Sequence, residues 1–366
     1  MGHTDVVGVE REKWSVDPFA AILKDGFVYG RGAIDDKDTV AAALIAFLSL
    51  HRLKVPLDRD VIYLAEAGEE GTPEVGIGFM VDRHWNAIDS EFALAEGGDI
   101  PVREGRIRYV GVATTEKVPS GLRLVAHGTS GHGSMPRVEN PIVHLATAIA
   151  KIGAYQPPMR LNETTKAFFE RSAALSPPAE AFLLTHLDDP TVGGLVQETL
   201  RRTNIQYNSM LRTSISPNII KGGFRINVIP GDAEAMLDVR ALPDEDMNRV
   251  VADLRALIDD PAIDILRERV NRPSAPPSRL DSELFRTLER IQASVYPGST
   301  TIPMMLTGAT DSAQIRAKGV QSYGISGPIG ERDPSAHGND ERISIDALGK
   351  YVEYIYRTVA EIAASN

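Results

Sequence analysis

The sequence contains no cysteine. Disulfides, zinc–thiolate sites and a cysteine nucleophile are therefore excluded, and any metal must be held by histidine, aspartate and glutamate. No apolar run approaches the ~18 residues that a membrane span needs. Residues 1–20 lack the basic-then-apolar pattern of a signal peptide, which points to the cytoplasm. Basic side chains are in the minority, 39 against 50 acidic ones for a net charge of −11, and they form no cluster. That argues against a nucleic-acid partner. Internal repeats and low-complexity segments are also missing.

What is present suits an ordinary globular protein: 43% hydrophobic and 24% charged residues in a chain of 366. This length predicts roughly two domains of about 150 residues each. Residues 35–53 read as a helix apolar nearly all round, and therefore buried. Asp60–Ala65 and Glu91–Ala95 are short apolar runs that suit buried strands. Near the far end, Ser312–Lys318 reads as helix, Val320–Ile325 as strand and Ile345–Ala364 as a long amphipathic helix. Strands alternating with helices predict an α/β domain with a mostly parallel sheet. The middle has another rhythm: strand Gly121–His127, helix Pro141–Ile152, strand Ala233–Arg240, helix Asp244–Ile258 and strand Ile263–Val270. These predict an inserted α+β domain with borders near Thr114 and Pro273, while residues 160–220 form a polar excursion with no assigned structure.

The residues able to carry chemistry fall at predicted strand ends, where open α/β sheets place their sites. In His3-Thr4-Asp5, extended backbone puts His3 and Asp5 on one side. Asp5 can then orient an imidazole that binds metal. In the run Gly30-Arg31-Gly32-Ala33-Ile34-Asp35-Asp36-Lys37, the glycines permit a sharp turn and one of the two aspartates suits a helix N-cap, leaving the other free. Glu69 and Glu70 lie between Gly68 and Gly71; adjacent side chains diverge, so one can ligate while the other moves a proton. Glu96 ends another apolar run, and His337 stands in a loop before the last helix. Each feature alone has a plainer reading as surface histidine, helix cap or solvated acidic turn. Together they form a sulfur-free oxygen and nitrogen donor set that suits two zinc, cobalt or manganese ions joined by one carboxylate.

The order of motifs resembles a family of dinuclear zinc metallopeptidases and deacylases. That family includes acetylornithine deacetylase, succinyl-diaminopimelate desuccinylase, aminoacylase, glutamate carboxypeptidase and the Gly-X carboxypeptidases. The matching stretches are HTDVV, the W-x₂-DPF run at Trp14–Phe19, DGFVYGRGAIDDK, AEAGEEG, GTSGHGSMP, NVIPGDAEAMLDVR, TGATD and AHGNDE, in order from residue 3 to residue 341. The resemblance implies a catalytic domain from residues 1–113 and 274–366 and a lid and dimerisation domain from 114–273. It makes Asp35 the bridging ligand, His3 and Glu96 the rest of one metal site, and Glu70 and His337 the rest of the other. It makes Glu69 the general base with Asp5 orienting His3. His132 would hold the substrate's carbonyl oxygen across a dimer interface, and Asn227 and Arg240 would make polar substrate contacts, the Arg240 fork suiting a carboxylate. The implied reaction is hydrolysis of an amide bond in N-acyl amino acids or short peptides with a free carboxylate, by a homodimer. An aminopeptidase with related metal chemistry, or an inactive dimeric binding or scaffold module, are the alternatives. The family carries a segment before HTD that supplies a helix and strands; here Met1 and Gly2 alone precede His3, so a truncated or mis-assigned start and a frayed His3 are expected.

Overall fold

The computed structural model describes residues 1–269, 272–331, 333, 334 and 336–364. Its first sheet has four strands in the order Thr300–Leu306, Tyr109–Glu116, Gln321–Gly324, Phe92–Ala95. The outer pairs are parallel, and the central contact of Gly324 with Ala113 is antiparallel. The predicted α/β class with a mostly parallel sheet is therefore what the chain adopts. Helices Lys37–Arg52, Glu283–Val295 and Ile345–Ala363 close one face around Val110, Val112, Phe285, Leu288, Tyr323, Tyr351 and Tyr354. At about 25 cal/mol per Å² of apolar surface removed from water, burial of their inner faces is the main force holding these helices down.

Residues 35–53 yield the helix Lys37–Arg52, but it is not buried all round. Ala42, Ala46 and Leu50 face the core, whereas Leu44 and Ile45 are exposed, because only one side meets the C-terminal helix and the sheet. The run Asp60–Ala65 also pairs less than expected. Its ladder is Ala65–Glu66 alone, parallel to Gly2–His3, with Gly2 N–H donating to Leu64 O. A cleft of about 860 Å³ opens between residues 59–64 and 86–94.

The second sheet is antiparallel and built from Ser214–Gly222, Asp232–Ala241, Leu122–His127 and Ile263–Arg267 in that order, with Val118–Pro119 pairing on Arg240 and Ala241. Alternation along Asp232–Ala241 puts Ala233, Ala235, Leu237 and Val239 inside, against helices Pro141–Ala154 and Met247–Ile258. Asn140 and Asp246 start those helices by accepting from Ile142 N and Asn248 N. The expected strand end at Val270 lies outside the described residues. The chain leaves the first sheet after Glu116, two residues beyond Thr114, since Thr115 and Glu116 still pair with Met305 and Leu306.

The excursion at 160–220 carries four helices, Glu163–Leu175, Pro178–Thr185, Gly193–Thr203 and Ile205–Met210, before it enters the strand Ser214–Gly222. Phe168, Phe169, Leu184, Val196, Leu200 and Met210 make its core together with Ile302, Met304 and Met305 of the first sheet. Its start has a capping box, in which Asn162 Oδ1 accepts from Thr165 N and Thr165 Oγ1 accepts from Asn162 N. Buried Thr164 and Thr165 replace the apolar residues that would have marked the inner stripe.

Candidate metal centre

His3 stands on a fixed strand, not a frayed end. The Met1 ammonium donates to Leu94 O at 2.7 Å, Gly2–His3 pairs with Ala65–Glu66, and His3 is buried. The ring lies with Nδ1 3.0 Å from Asp5 O, which makes Nδ1 the protonated nitrogen and turns Nε2 toward the site. Asp5 therefore orients His3 through its backbone oxygen, its carboxylate being 3.6 Å away. That carboxylate instead accepts from Gly68 N, Glu69 N and Glu70 N at 2.8, 3.3 and 3.2 Å. It fixes the turn carrying the paired glutamates.

Five side chains from distant parts of the chain converge. His3 Nε2 is 3.0 Å from Asp35 Oδ1 and 3.8 Å from Glu96 Oε2. His337 Nε2 is 3.1 Å from Asp35 Oδ2 and 3.1 Å from Glu70 Oε1. Two donor groups result, His3–Asp35–Glu96 and Asp35–Glu70–His337, each with ligand atoms within 4.8 Å of one another. They share Asp35, one oxygen turned to each.

Asp36, not Asp35, is the N-cap residue of helix Lys37–Arg52, yet its side chain caps nothing. Its Oδ2 accepts from His3 N at 3.2 Å and so braces the His3 strand. Sequence reasoning passed over three further residues. Buried Arg31 and Glu341 pair at 2.6 Å; Arg31 Nη2 also donates to His337 O, and Glu341 Oε1 accepts from Ile34 N. This pair ties the Asp35 loop to the His337 loop. Arg272 donates to Glu69 O, Glu69 Oε1 and Asp311 Oδ1. The only sequence cue was position, Arg31 within the Gly-rich run and Glu341 four residues after His337.

Electrostatics show an excess of negative charge. Burial raises the Glu70 carboxyl, and Asp35 adds to it. Burial together with Glu96 pushes Glu69 up to about 8 against the pull of Arg272. Burial, then Asp311, pushes Glu66 up to about 8, and its Oε2 has no hydrogen-bond partner among the described residues. Burial alone would lower His3, but hydrogen bonds to Asp35 and Glu96 outweigh it and push the imidazole up to about 12. Carboxylates crowded in low dielectric at this density call for a cation. The nitrogen and oxygen donor set, with no sulfur, fits divalent ions of the zinc, cobalt or manganese kind.

The three residues expected on the second body lie apart from this cluster, with other partners. His132 is exposed, its Nδ1 accepting from Ser134 N and 2.7 Å from Ser134 Oγ. Asn227 is exposed, and its carbonyl accepts from Gly133 N. Arg240 does not present an open fork: Nε and Nη2 bond Asp238 at 2.8 and 3.3 Å.

A two-histidine carboxylate cluster, running from buried His3 to exposed His337 at the strand ends of an open α/β sheet, marks a metal-dependent hydrolase. The chain belongs to peptidase family M20/M25/M40, whose model matches residues 1–361. It is 28% identical to the human N-fatty-acyl-amino acid synthase/hydrolase PM20D1, over 98% of this chain and 72% of that protein. It is 27% identical to the probable carboxypeptidase S-like 2 of Dictyostelium discoideum, over 98% of this chain and 70% of the relative. Human aminoacylase-1 is 26% identical, over 99% and 79%. Among solved structures, the M20 metallo-carboxypeptidase Sso-CP2 of Sulfolobus solfataricus superposes with a TM-score of 0.69 at 20% identity, covering 98% of this chain and 83% of that one. The fold is thus that family's, and the reaction class is metal-dependent amide hydrolysis.

Proposed function

We propose that the protein hydrolyses the amide bond of N-acyl amino acids or short peptides bearing a free carboxylate, with two divalent ions, zinc foremost, in the cluster. The observation that carries this reading is the shared Asp35, one oxygen facing each histidine-containing group. His3, Asp35 and Glu96 would hold one ion, and Asp35, Glu70 and His337 the other. Such ions supply Lewis acidity, lowering the pKa of water toward about 7 and polarising a carbonyl oxygen.

Glu69 is the general base of the proposal. It takes the proton of the water that attacks the amide carbon and returns it to the departing nitrogen as the C–N bond breaks. A carboxyl pushed upward by burial holds that proton readily between the two steps. Asp5 and Arg272 keep the turn still while it does so. We assign residues 1–113 and 274–366 to the catalytic domain and 114–273 to a lid through which the protein forms a homodimer. In that arrangement His132 and Asn227 reach a substrate in the partner's cleft. Arg240 would contact a substrate carboxylate once Asp238 releases it. The names of PM20D1 and aminoacylase-1 support acyl amino acids as the substrate class.

The test joins metal quantification to a hydrolysis screen of N-acyl amino acids and of N-blocked and C-blocked dipeptides. Two ions per chain are expected, with turnover abolished by chelator and restored by zinc, cobalt or manganese. N-blocked substrates should be cleaved and C-blocked ones spared. A requirement for a free amine would make it an aminopeptidase, and chelator-insensitive turnover would overturn the metal assignment.

A further inference from the structure

We infer that Arg272 is a positioning residue for Glu69, holding one oxygen of the general base so that the other faces the reacting water. The inference rests on the function proposed above. Arg272 lies on the segment returning from the second sheet to the first, five residues beyond the strand Ile263–Arg267. Its guanidinium is buried, as are the two carboxylates it bonds. Nη2 donates to Glu69 O at 2.9 Å and Glu69 Oε1 at 2.5 Å, and Nη1 donates to Asp311 Oδ1 at 2.7 Å. Nη2 thus fixes backbone and side chain of the same glutamate while Nη1 of the same planar fork is held by Asp311, a two-sided grip whose spacing a point-like ammonium does not reproduce.

The far side of the fork is also anchored. Asp311 follows Thr310, whose N and Oγ1 donate to Glu116 at 2.9 and 2.8 Å, and Glu116 pairs with Arg316 at 3.0 Å. Glu116 ends the strand by which the chain leaves for the second sheet. Both crossings between the two sheets therefore meet at the Thr310–Asp311 turn, and one of them grips the base. Asp5 holds the turn backbone at Gly68, Glu69 and Glu70 but leaves the Glu69 carboxylate free to rotate. Arg272 removes that freedom. A misplacement of about 1 Å in a reacting group can cost about 10²-fold in rate.

The experiment measures kcat and KM of the metal-loaded enzyme on an N-acyl amino acid for Arg272→Ala, Glu69→Gln and the double variant, with metal content and thermal unfolding alongside. Arg272→Ala should lose about 10- to 10²-fold in kcat, with KM within about twofold and metal content unchanged. Millimolar guanidinium should restore part of the loss. In the Glu69→Gln background the same substitution should cost nothing further. If the alanine variant does not fold, Arg272→Lys replaces it and should lose about 10-fold in kcat, because one ammonium cannot serve Glu69 and Asp311 in the same geometry. Unchanged kcat in the folded variant, or an equal loss with Glu69 already replaced, would overturn the assignment while wild-type turnover leaves the function standing. Absence of wild-type turnover on every acyl amino acid and dipeptide would overturn the function itself, and this inference with it.

Discussion

Among single residues, the strongest structural lever on the cluster is a pair that touches no proposed ligand atom. Arg31 and Glu341 are both buried and meet at 2.6 Å, and Trp14 covers the guanidinium at 5.2 Å. In Glu341→Gln the amide can still accept from Ile34 N, but it leaves the Arg31 charge uncompensated in low dielectric. Breaking a buried pair from one side typically destabilises by about 3–5 kcal/mol. Urea unfolding should show a loss of that order, and the ratio of bound metal to protein should fall, because the tie between the His337 and Asp35 loops is weakened. Wild-type stability with full metal content would refute that link. At this scale the sequence was legible where chemistry is local. His3, Asp35, Glu69, Glu70, Glu96 and His337 each stood beside a glycine, a helix start or an apolar run. Glu341 and Arg272 carried no such mark, and Arg31, although set between two glycines, showed nothing of its partner, since these roles exist only after segments hundreds of residues apart have met.

Elements decide how those residues are aimed, and the turn Gly68–Thr72 shows it most sharply. Gly68 has φ +85°, and a Cβ there would lie 2.4 Å from Thr72 O and 2.8 Å from Val75 Cγ2. A Cβ on Gly71 would meet no atom within 4 Å among the described residues beyond its chain neighbours. Gly68→Ala should therefore destabilise by about 1–3 kcal/mol and depress kcat, since relief of the strain must move Glu69 and Glu70. Gly71→Ala should stay within about 0.5 kcal/mol of wild type. Paired thermal melts and kinetics check this, and equal behaviour of the two variants would show that the turn is not held by Gly68. Elements with apolar runs or caps were readable, among them Phe92–Ala95, Asp232–Ala241 and Ile345–Ala363. The four helices within 160–220 were not. Their inner positions include threonine and alanine, and their core is completed by Ile302, Met304 and Met305 from a strand about a hundred residues away.

For the whole molecule, the decisive feature is how the chain passes between its two sheets, and Lys117 stands at the outward passage. The change of rhythm along the sequence pointed to a second set of strands, but nothing in it marked Lys117. Its side chain is buried, with Nζ donating to Arg212 O at 2.6 Å, Ser214 Oγ at 3.2 Å and Ser209 Oγ at 3.3 Å. Burial, reinforced by the positive charges of Arg240 and Arg212, pushes its pKa from 10.5 down to about 7. Between those limits the unfolded chain holds a proton that the folded chain releases, so stability rises with pH. The contribution is full above about 10.5 and is lost as pH falls through about 7. Other buried groups titrate too, so the measurement is a difference. Urea unfolding of wild type and Lys117→Met across this range should give a stability difference that shifts toward wild type as pH rises, by at most about 1.4 kcal/mol per pH unit. Below pH 7 the difference should be flat. A difference flat throughout would mean that the three acceptors keep Lys117 charged in the folded state, and the passage between the sheets would then be closed by a buried ammonium.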